Sequence, residues 1–408
     1  MVVELTTRNA GLQDMVDLLR RQRARTLDVV VPASKIKMDD SANVVIADTA
    51  HELTDTGVTA KPGIFRPTEV FDEGVADKIG IPLRYVRRMR AERPDLLASN
   101  MNGWLHGRKP KVRQVSEFGT GQVRSEVLRE GIAGDDRSFL VRTFTGDEGE
   151  HGIARALLSD RYAVMDNLDA LMAALDGVRQ AGVEVEIDGC DLSERNMYVR
   201  VIAPEVEALA PILLDGYRSP FSGASGTENP TVFAGFQISN SEVGGGAFSI
   251  TPRLVIQVCN NGLTVTKDAM RAVHLGARQD EGTIRWTEDT QRKELAVVTA
   301  KARDAVTTFL DVDYMRRVIE RAEEEADVKV KHPDVVKDVT KALKIDEVTT
   351  DLILEHFLTA GDSTSAGVMG AFTSAAQLVP DAEKAANLES LALSALSETA
   401  RAVKNFTA

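Results

Sequence analysis

The sequence has few of the residues that build crosslinks or metal centres. Its 408 residues include only two cysteines, Cys190 and Cys259, and neither belongs to a CxxC pair. A disulfide framework and a four-cysteine zinc site are therefore excluded, and we expect both thiols to be reduced and buried. No histidine has a neighbour at HxxxH or HExxH spacing, so no metal site is expected.

Long apolar runs are also lacking. The most apolar stretches, such as Ala208–Leu214 and Leu391–Leu396, are far shorter than the roughly 20 residues that span a bilayer. The opening residues have no basic start, apolar middle and small-residue cleavage site of a secretory signal. We therefore expect a cytoplasmic protein that does not associate with membranes.

Several enzyme motifs are missing as well. The chain contains no GxSxG, no P-loop, and no GxGxxG that follows a strand and opens a helix. The acidic runs are typical of solvated helix faces, because consecutive glutamates on a helix point in different directions. We expect no cofactor, and the sequence assigns no catalytic residue.

What the sequence does contain is enough apolar material for one large domain or two to three ordinary ones, since 43% of its residues are hydrophobic. Helical and alternating patterns predict an α+β fold, with a central antiparallel sheet flanked by helical N-terminal and C-terminal parts. The predicted divisions are a basic helical part (residues 1–110), a central antiparallel α+β domain (residues 111–287) and a helical part (residues 288–408). The clearest local prediction is an antiparallel hairpin, Val232–Ile238 with Ala247–Val258, joined by a glycine-rich turn.

The charge distribution is uneven. The net charge is −13, yet Ala76–Arg113 contains ten basic and three acidic residues, a local excess of seven positive charges. Such an inversion predicts a site for a polyanion. The candidate nucleic-acid-binding residues are Arg84, Tyr85, Arg87, Arg88, Arg90, Trp104, Arg108, Lys109, Lys111 and Arg113.

Part of this segment, Glu73–Arg90, has the spacing of a helix-turn-helix with Gly80 at the turn. A plain helical hairpin with a solvated basic face is the alternative. Tyr85 and Trp104 would stack on unpaired bases in a single-strand binder, or they pack in the core.

A second set of polar residues surrounds the predicted hairpin. It comprises Ser239, Asn240, Ser241, Glu242, Arg253, Asn260, Asn261, Arg271 and His274. These side chains either converge in a pocket or serve as turn and cap residues, which is a routine role for asparagine and serine.

Four motifs carry a family resemblance. They are ISNSEVG at Ile238–Gly244, VCNNG at Val258–Gly262, the following Arg271 and His274, and LLSDRYAVMDN at Leu157–Asn167. In these motifs the chain resembles the phage and plasmid proteins of the domain of unknown function 932 family, from about Ile79 to about Phe372. The resemblance implies a bacteriophage or mobile-element protein that acts in the host bacterial cytoplasm, and it implies no catalytic residue.

The resulting hypothesis is a non-catalytic, nucleic-acid-associated bacteriophage protein that binds or anneals single-stranded DNA. Apolar stripes in the C-terminal helices predict a homo-oligomer, which would multiply the basic segment. One alternative is an enzyme that acts on nucleotides or nucleic acid through the groups at Ser239–Glu242 and Asn260–His274. The other is a phage protein that binds a host defence or replication protein.

Overall fold

A computed structural model describes residues 4–54, 57–116, 123–147, 149–257, 261–272 and 288–407. The strands in these ranges are β1 (Thr7–Ala10), β2 (Thr26–Pro32), β3 (Ile36–Met38), β4 (Val44–Thr54), β5 (Gly57–Pro67), β6 (Lys111–Ser116), β7 (Val123–Arg129), β8 (Ser138–Phe144), β9 (Gly152–Ser159), β10 (Glu186–Leu192), β11 (Met197–Leu209), β12 (Thr231–Asn240), β13 (Phe248–Ile256), β14 (Asn261–Thr264) and β15 (Met270–Ala272). The helices are α1 (Leu12–Arg25), α2 (Glu69–Ile79), α3 (Leu83–Glu92), α4 (Pro94–His106), α5 (Asn167–Ala181), α6 (Glu288–Phe309), α7 (Val312–Glu323), α8 (Asp334–Ala342), α9 (Glu347–Ala360), α10 (Ser365–Leu378) and α11 (Ala382–Thr407).

The chain divides into two compact units. Within the described ranges, the first unit consists mainly of residues 20–164. The second consists of residues 5–19, 165–272 and 288–407. Each unit has its own hydrophobic core.

The first unit is built on a mixed sheet with strand order β2-β8-β9-β5-β4-β3. Neighbouring strands are antiparallel except for β5 and β9, which run parallel. Val44, Ile46, Phe139 and Val141 are buried in its core. Their positions alternate along β4 and β8, which places them on one face of the sheet, and the intervening residues of β8 are buried as well.

Helices α2 and α3 pack in the same core. The Thr68 hydroxyl caps α2 by accepting a hydrogen bond from the Phe71 amide at 3.2 Å. Gly80 ends the helix with φ at 73°, a left-handed conformation that glycine adopts without a Cβ clash. Val75 of α2 and Val86 of α3 are buried in the same core. The sequence prediction of two helices joined by a tight turn at Gly80 is therefore confirmed.

The second unit is built on an antiparallel sheet with strand order β1-β10-β11-β12-β13-β14, and β15 also pairs with β13. The hairpin of β12 and β13 confirms the clearest local prediction, and its register places Ser239 opposite Ser249. Helices α5 and α6 pack on β12, while α10 and α11 contact β14.

The predicted α+β class is confirmed, with helices in both the N-terminal and the C-terminal parts of the chain. The strands form two sheets, and residues 1–110 contain β1 to β5 besides their helices. Compactness divides the chain into two units, so the three-part boundaries stay a prediction. None of the described helices is long and apolar enough to cross a membrane.

Candidate nucleic-acid interface

The exposed face of α4 brings an aromatic side chain into contact with solvent. Leu96 and Trp104 are 41% and 40% exposed, and Asn100 lies between them at i,i+4 spacing, which places all three on one face. The Asn100 amide donates a hydrogen bond of 2.6 Å to the Tyr85 hydroxyl of α3. The two aromatic residues predicted from the sequence therefore lie along one surface.

Four of the predicted basic residues, in α3 and in the segment that follows α4, have exposed side chains: Arg84, Arg108, Lys109 and Lys111. No ion pair joins any of the four to a carboxylate in the part of the chain that the structure describes. We name these four residues, together with Tyr85, Asn100 and Trp104, the α3/α4 surface.

Two other predicted residues, Arg87 and Arg88, form ion pairs on the surface. Arg87 lies 3.2 Å from Glu69 and 3.3 Å from Glu73, and Arg88 lies 3.0 Å from Glu92. Each is a surface pair, which contributes at most about 1 kcal/mol. Carboxylates of α2 therefore pair with Arg87, and a carboxylate of α3 itself pairs with Arg88.

Arg90 has a structural role. Its guanidinium forms two hydrogen bonds with the Asp72 carboxylate, at 2.6 and 2.7 Å, and donates a third to the Ala42 carbonyl at 2.7 Å. Asp72 is buried, with a side chain only 5% exposed. Arg90 therefore joins α3 to α2 and is not part of a free basic face. The choice between a helix-turn-helix and a plain helical hairpin stays a prediction.

Arg113 belongs to β6, but its side chain is not among those that the structure describes.

Asp135 lies beside Trp104 and is neutralised by Arg137 at 2.6 Å. Hydrogen bonds from Arg137 hold the pKa of the Asp135 carboxyl below its usual value. This carboxylate therefore adds little negative field beside Trp104, whose carbonyl accepts a hydrogen bond from the Asp135 amide at 3.2 Å.

The second set of polar residues does not converge in the described part of the chain. Asn240 donates to the Asn167 side-chain oxygen at 2.8 Å, and Glu242 accepts from the Asn167 amide at 3.0 Å. Ser241 accepts from the Gly245 amide at 2.8 Å, and Ser239 and Ser249 share a hydrogen bond of 2.8 Å. These contacts fix the start of α5 and the hairpin turn, which is cap and turn chemistry.

Arg253 lies elsewhere on the hairpin. Its register partner on β12 is Gly235, four residues and about 13 Å along the strand from Ser239. Its buried guanidinium pairs with Asp188 at 2.7 Å and Glu389 at 3.0 Å. Although burial opposes its charge, Glu389 and Asp188 hold the pKa of Arg253 above its usual value.

Four members of the second polar set remain, and the structure describes only some of them. Arg271 lies in β15 opposite Ser249 and is exposed. Asn261 opens β14, but its side chain is not described, and Asn260 and His274 lie outside the described residues. No group of three or more histidine, cysteine or acidic side chains able to hold a metal occurs in the described ranges.

Two buried ion-pair sites were not predicted from the sequence. Arg142 is fully buried on β8 and donates to Asp28 at 2.9 Å. Arg8 and Arg200 both bond the buried Asp191. A charged residue within an alternating apolar strand, as in SFLVRTF, is the signal that could have indicated Arg142.

In comparisons with known proteins, no family model, no curated protein and no solved structure matches this chain.

Proposed function

We propose that the protein binds single-stranded nucleic acid, with single-stranded DNA favoured, through the α3/α4 surface. The observation that supports this best is Trp104, 40% exposed on α4 shortly before Arg108 and Lys109, which are exposed and form no ion pair with any described carboxylate. An exposed ring stacks on unpaired bases, and neighbouring cations neutralise the phosphates. This combination fits a strand whose bases are accessible.

The number of unpaired cations sets the expected salt dependence of binding. Arg84, Arg108, Lys109 and Lys111 are four unpaired cations in the described part of the surface. At about 0.7 counterions released per phosphate contact on a single strand, they predict a slope of roughly −3 in a plot of log affinity against log salt. Arg87 and Arg88 can add to this only by exchanging a carboxylate for a phosphate, which costs little at exposed pairs.

The resemblance to the domain of unknown function 932 family supports a bacteriophage or mobile-element protein that acts in the bacterial cytoplasm. Two of its motifs contact each other here, since Asn240 and Glu242 of ISNSEVG both bond Asn167 of LLSDRYAVMDN. Such contacts indicate that the shared motifs maintain the fold. The proposed binding therefore rests on residues outside those motifs.

The binding test is fluorescence anisotropy of a labelled oligothymidylate at several salt concentrations. We expect Trp104→Ala to weaken binding about 10-fold or more, because stacking contributes about 1 to 3 kcal/mol per base. The matched control is Phe221→Ala, which truncates another exposed ring, 47% exposed, in the second unit. Absence of salt-sensitive binding by the wild-type protein at low ionic strength would contradict the proposal.

A charge variant tests the phosphate contacts separately. Replacing Arg108 and Lys109 by glutamine should reduce the salt slope by about 1.4. The control, R316Q with K337Q, makes the same charge change at exposed residues of α7 and α8. A similar loss in both variants would mean that only the net charge matters.

We also propose that the protein self-associates through its C-terminal helices, which would repeat the α3/α4 surface in one assembly. Exposed apolar side chains at Val348 and Leu358 of α9, 81% and 57% exposed, support this. Sedimentation velocity should show a species heavier than the 44.3 kDa chain, and V348E with L358E should reduce it to the monomer. A wild-type monomer at all concentrations would contradict this part.

A further inference from the structure

Strands β6 and β7 form a two-stranded ribbon directly after the α3/α4 surface. They pair antiparallel, with Arg113 opposite Glu126 and Val115 opposite Arg124. In the described ranges neither strand pairs with a third one. An isolated hairpin of this kind is only marginally stable in water, so a bound partner would stabilise it.

The base of the ribbon is fixed to the end of α4. Arg108 and Ile132 exchange two backbone hydrogen bonds of 2.8 Å. Gly107 has φ at 69°, and a Cβ there would lie 2.4 Å from the Ile132 carbonyl oxygen and from the Gly134 nitrogen. Only glycine allows this close approach. The base of the ribbon therefore lies at a defined place, with Arg108 four residues after Trp104 in the chain.

The ribbon carries positive charge in an acidic protein. Strands β6 and β7 contain one acidic residue, Glu126, and four basic ones, Lys111, Arg113, Arg124 and Arg129. The whole chain has a net charge of −13. The local excess is complementary to a phosphate backbone.

We infer that the ribbon is the second part of the nucleic-acid track, and that a single strand bound at Trp104 continues along β6 and β7. This inference rests on the proposed function, because it needs a strand on the α3/α4 surface. The six residues of β6 extend about 20 Å, which is room for at most about six phosphates at 3.4 Å spacing. Bases stack near Trp104, and the ribbon contacts the backbone without sequence preference.

A length series of oligothymidylates, of about 6, 12 and 24 nucleotides, tests the inference. We expect wild-type affinity to rise up to the length that covers both α4 and the ribbon. Replacing Arg113 and Arg124 by glutamine should stop this rise at a shorter length, with about a 10-fold loss on the longest oligonucleotide and little loss on the shortest. The salt slope should fall by about 1.4. The R316Q/K337Q protein is the charge-matched control.

Glu126→Gln separates lost contacts from a misfolded ribbon. This change removes the acidic residue opposite Arg113, so it should tighten binding of the long oligonucleotide several-fold and leave the shortest unchanged. A damaged ribbon would only weaken binding. Equal length dependence in the wild-type, R113Q/R124Q and E126Q proteins would overturn the inference and leave the α3/α4 surface intact, whereas a wild-type protein that binds no oligonucleotide would overturn the proposed function itself.

Discussion

The residue with the clearest stabilising role in the basic segment is Arg90. Replacing it by methionine would leave the buried Asp72 carboxylate, 5% exposed, without its partner. Removing one member of a largely buried pair is strongly destabilising, so we expect R90M to lower the free energy of unfolding by about 2 to 4 kcal/mol. Urea denaturation followed by circular dichroism measures this loss.

The neighbouring Arg88 gives the matched control. It pairs with Glu92 at i,i+4 spacing, and both side chains are more than half exposed. Such a pair contributes about 0.3 to 0.5 kcal/mol, so R88M should leave the unfolding midpoint almost unchanged. Equal losses in R88M and R90M would show that the buried geometry is not what matters.

A glycine in the second unit is equally constrained. A Cβ on Gly262 would lie 2.0 Å from the guanidinium carbon of Arg253. Gly262→Ala would force Arg253 away from Asp188 and Glu389, and we expect a loss of about 3 kcal/mol or more in the free energy of unfolding. Gly246→Ala is the control, since the nearest atom to its Cβ would be 3.5 Å away. If both alanine variants unfold at the same urea concentration, steric contact with Arg253 is not the constraint.

The candidate surface shows what could be predicted from single residues. The basic segment and Trp104 were accessible to sequence analysis, because charge counts and aromatic positions are local properties. The pairing of Arg87 and Arg90 was not. Their partners Glu69, Asp72 and Glu73 precede the counted segment, and they face α3 only because Gly80 reverses the chain.

At the scale of elements, helix α9 depends on its cap. The Asp346 carboxylate accepts a hydrogen bond of 3.0 Å from the Thr349 amide. This hydrogen bond is the largest cause that holds the pKa of Asp346 below its usual value, and a hydrogen bond from Lys384 is the second largest. Asp346→Ala should cost about 1 kcal/mol near neutral pH.

The same cap predicts a pH dependence. Because the pKa of Asp346 is lower in the folded state, its contribution is present above the unfolded value of about 3.9 and is lost as the pH falls through the folded value. The stability gap between wild type and D346A should therefore narrow below about pH 4. Urea denaturation across this range measures the gap. Asp346→Asn, which keeps a capping oxygen, should lose only a few tenths of a kcal/mol at neutral pH; an undiminished D346A gap in acid would contradict the assignment.

Element boundaries were predicted best where patterns are local. The β12/β13 hairpin lies close to its expected limits. Strand β10 is harder to predict, because it runs from Glu186 to Leu192 and contains the buried Asp191, a residue type that is typical of turns. Asp191 can be buried in a strand because Arg8 pairs with it. That partner lies 183 positions away in the chain, so a local sequence pattern does not reveal it.

At the scale of the whole molecule, two cores predict two unfolding events. Arg90 belongs to the first unit and Gly262 to the second. Differential scanning calorimetry should resolve two components, with R90M lowering the midpoint of one and G262A that of the other, by several degrees each. A single transition that both variants shift equally would show that the units unfold together.

Strand β1 has a consequence for how the molecule is made. Thr7 pairs with Leu192 of β10, and the neighbouring Arg8 bonds Asp191. Arg8 and Asp191 are 183 positions apart in the chain, and a contact of such high sequence separation is slow to form during folding. A shortened protein that starts after residue 19 would expose β10 as a free edge, and such an edge invites pairing between chains and precipitation.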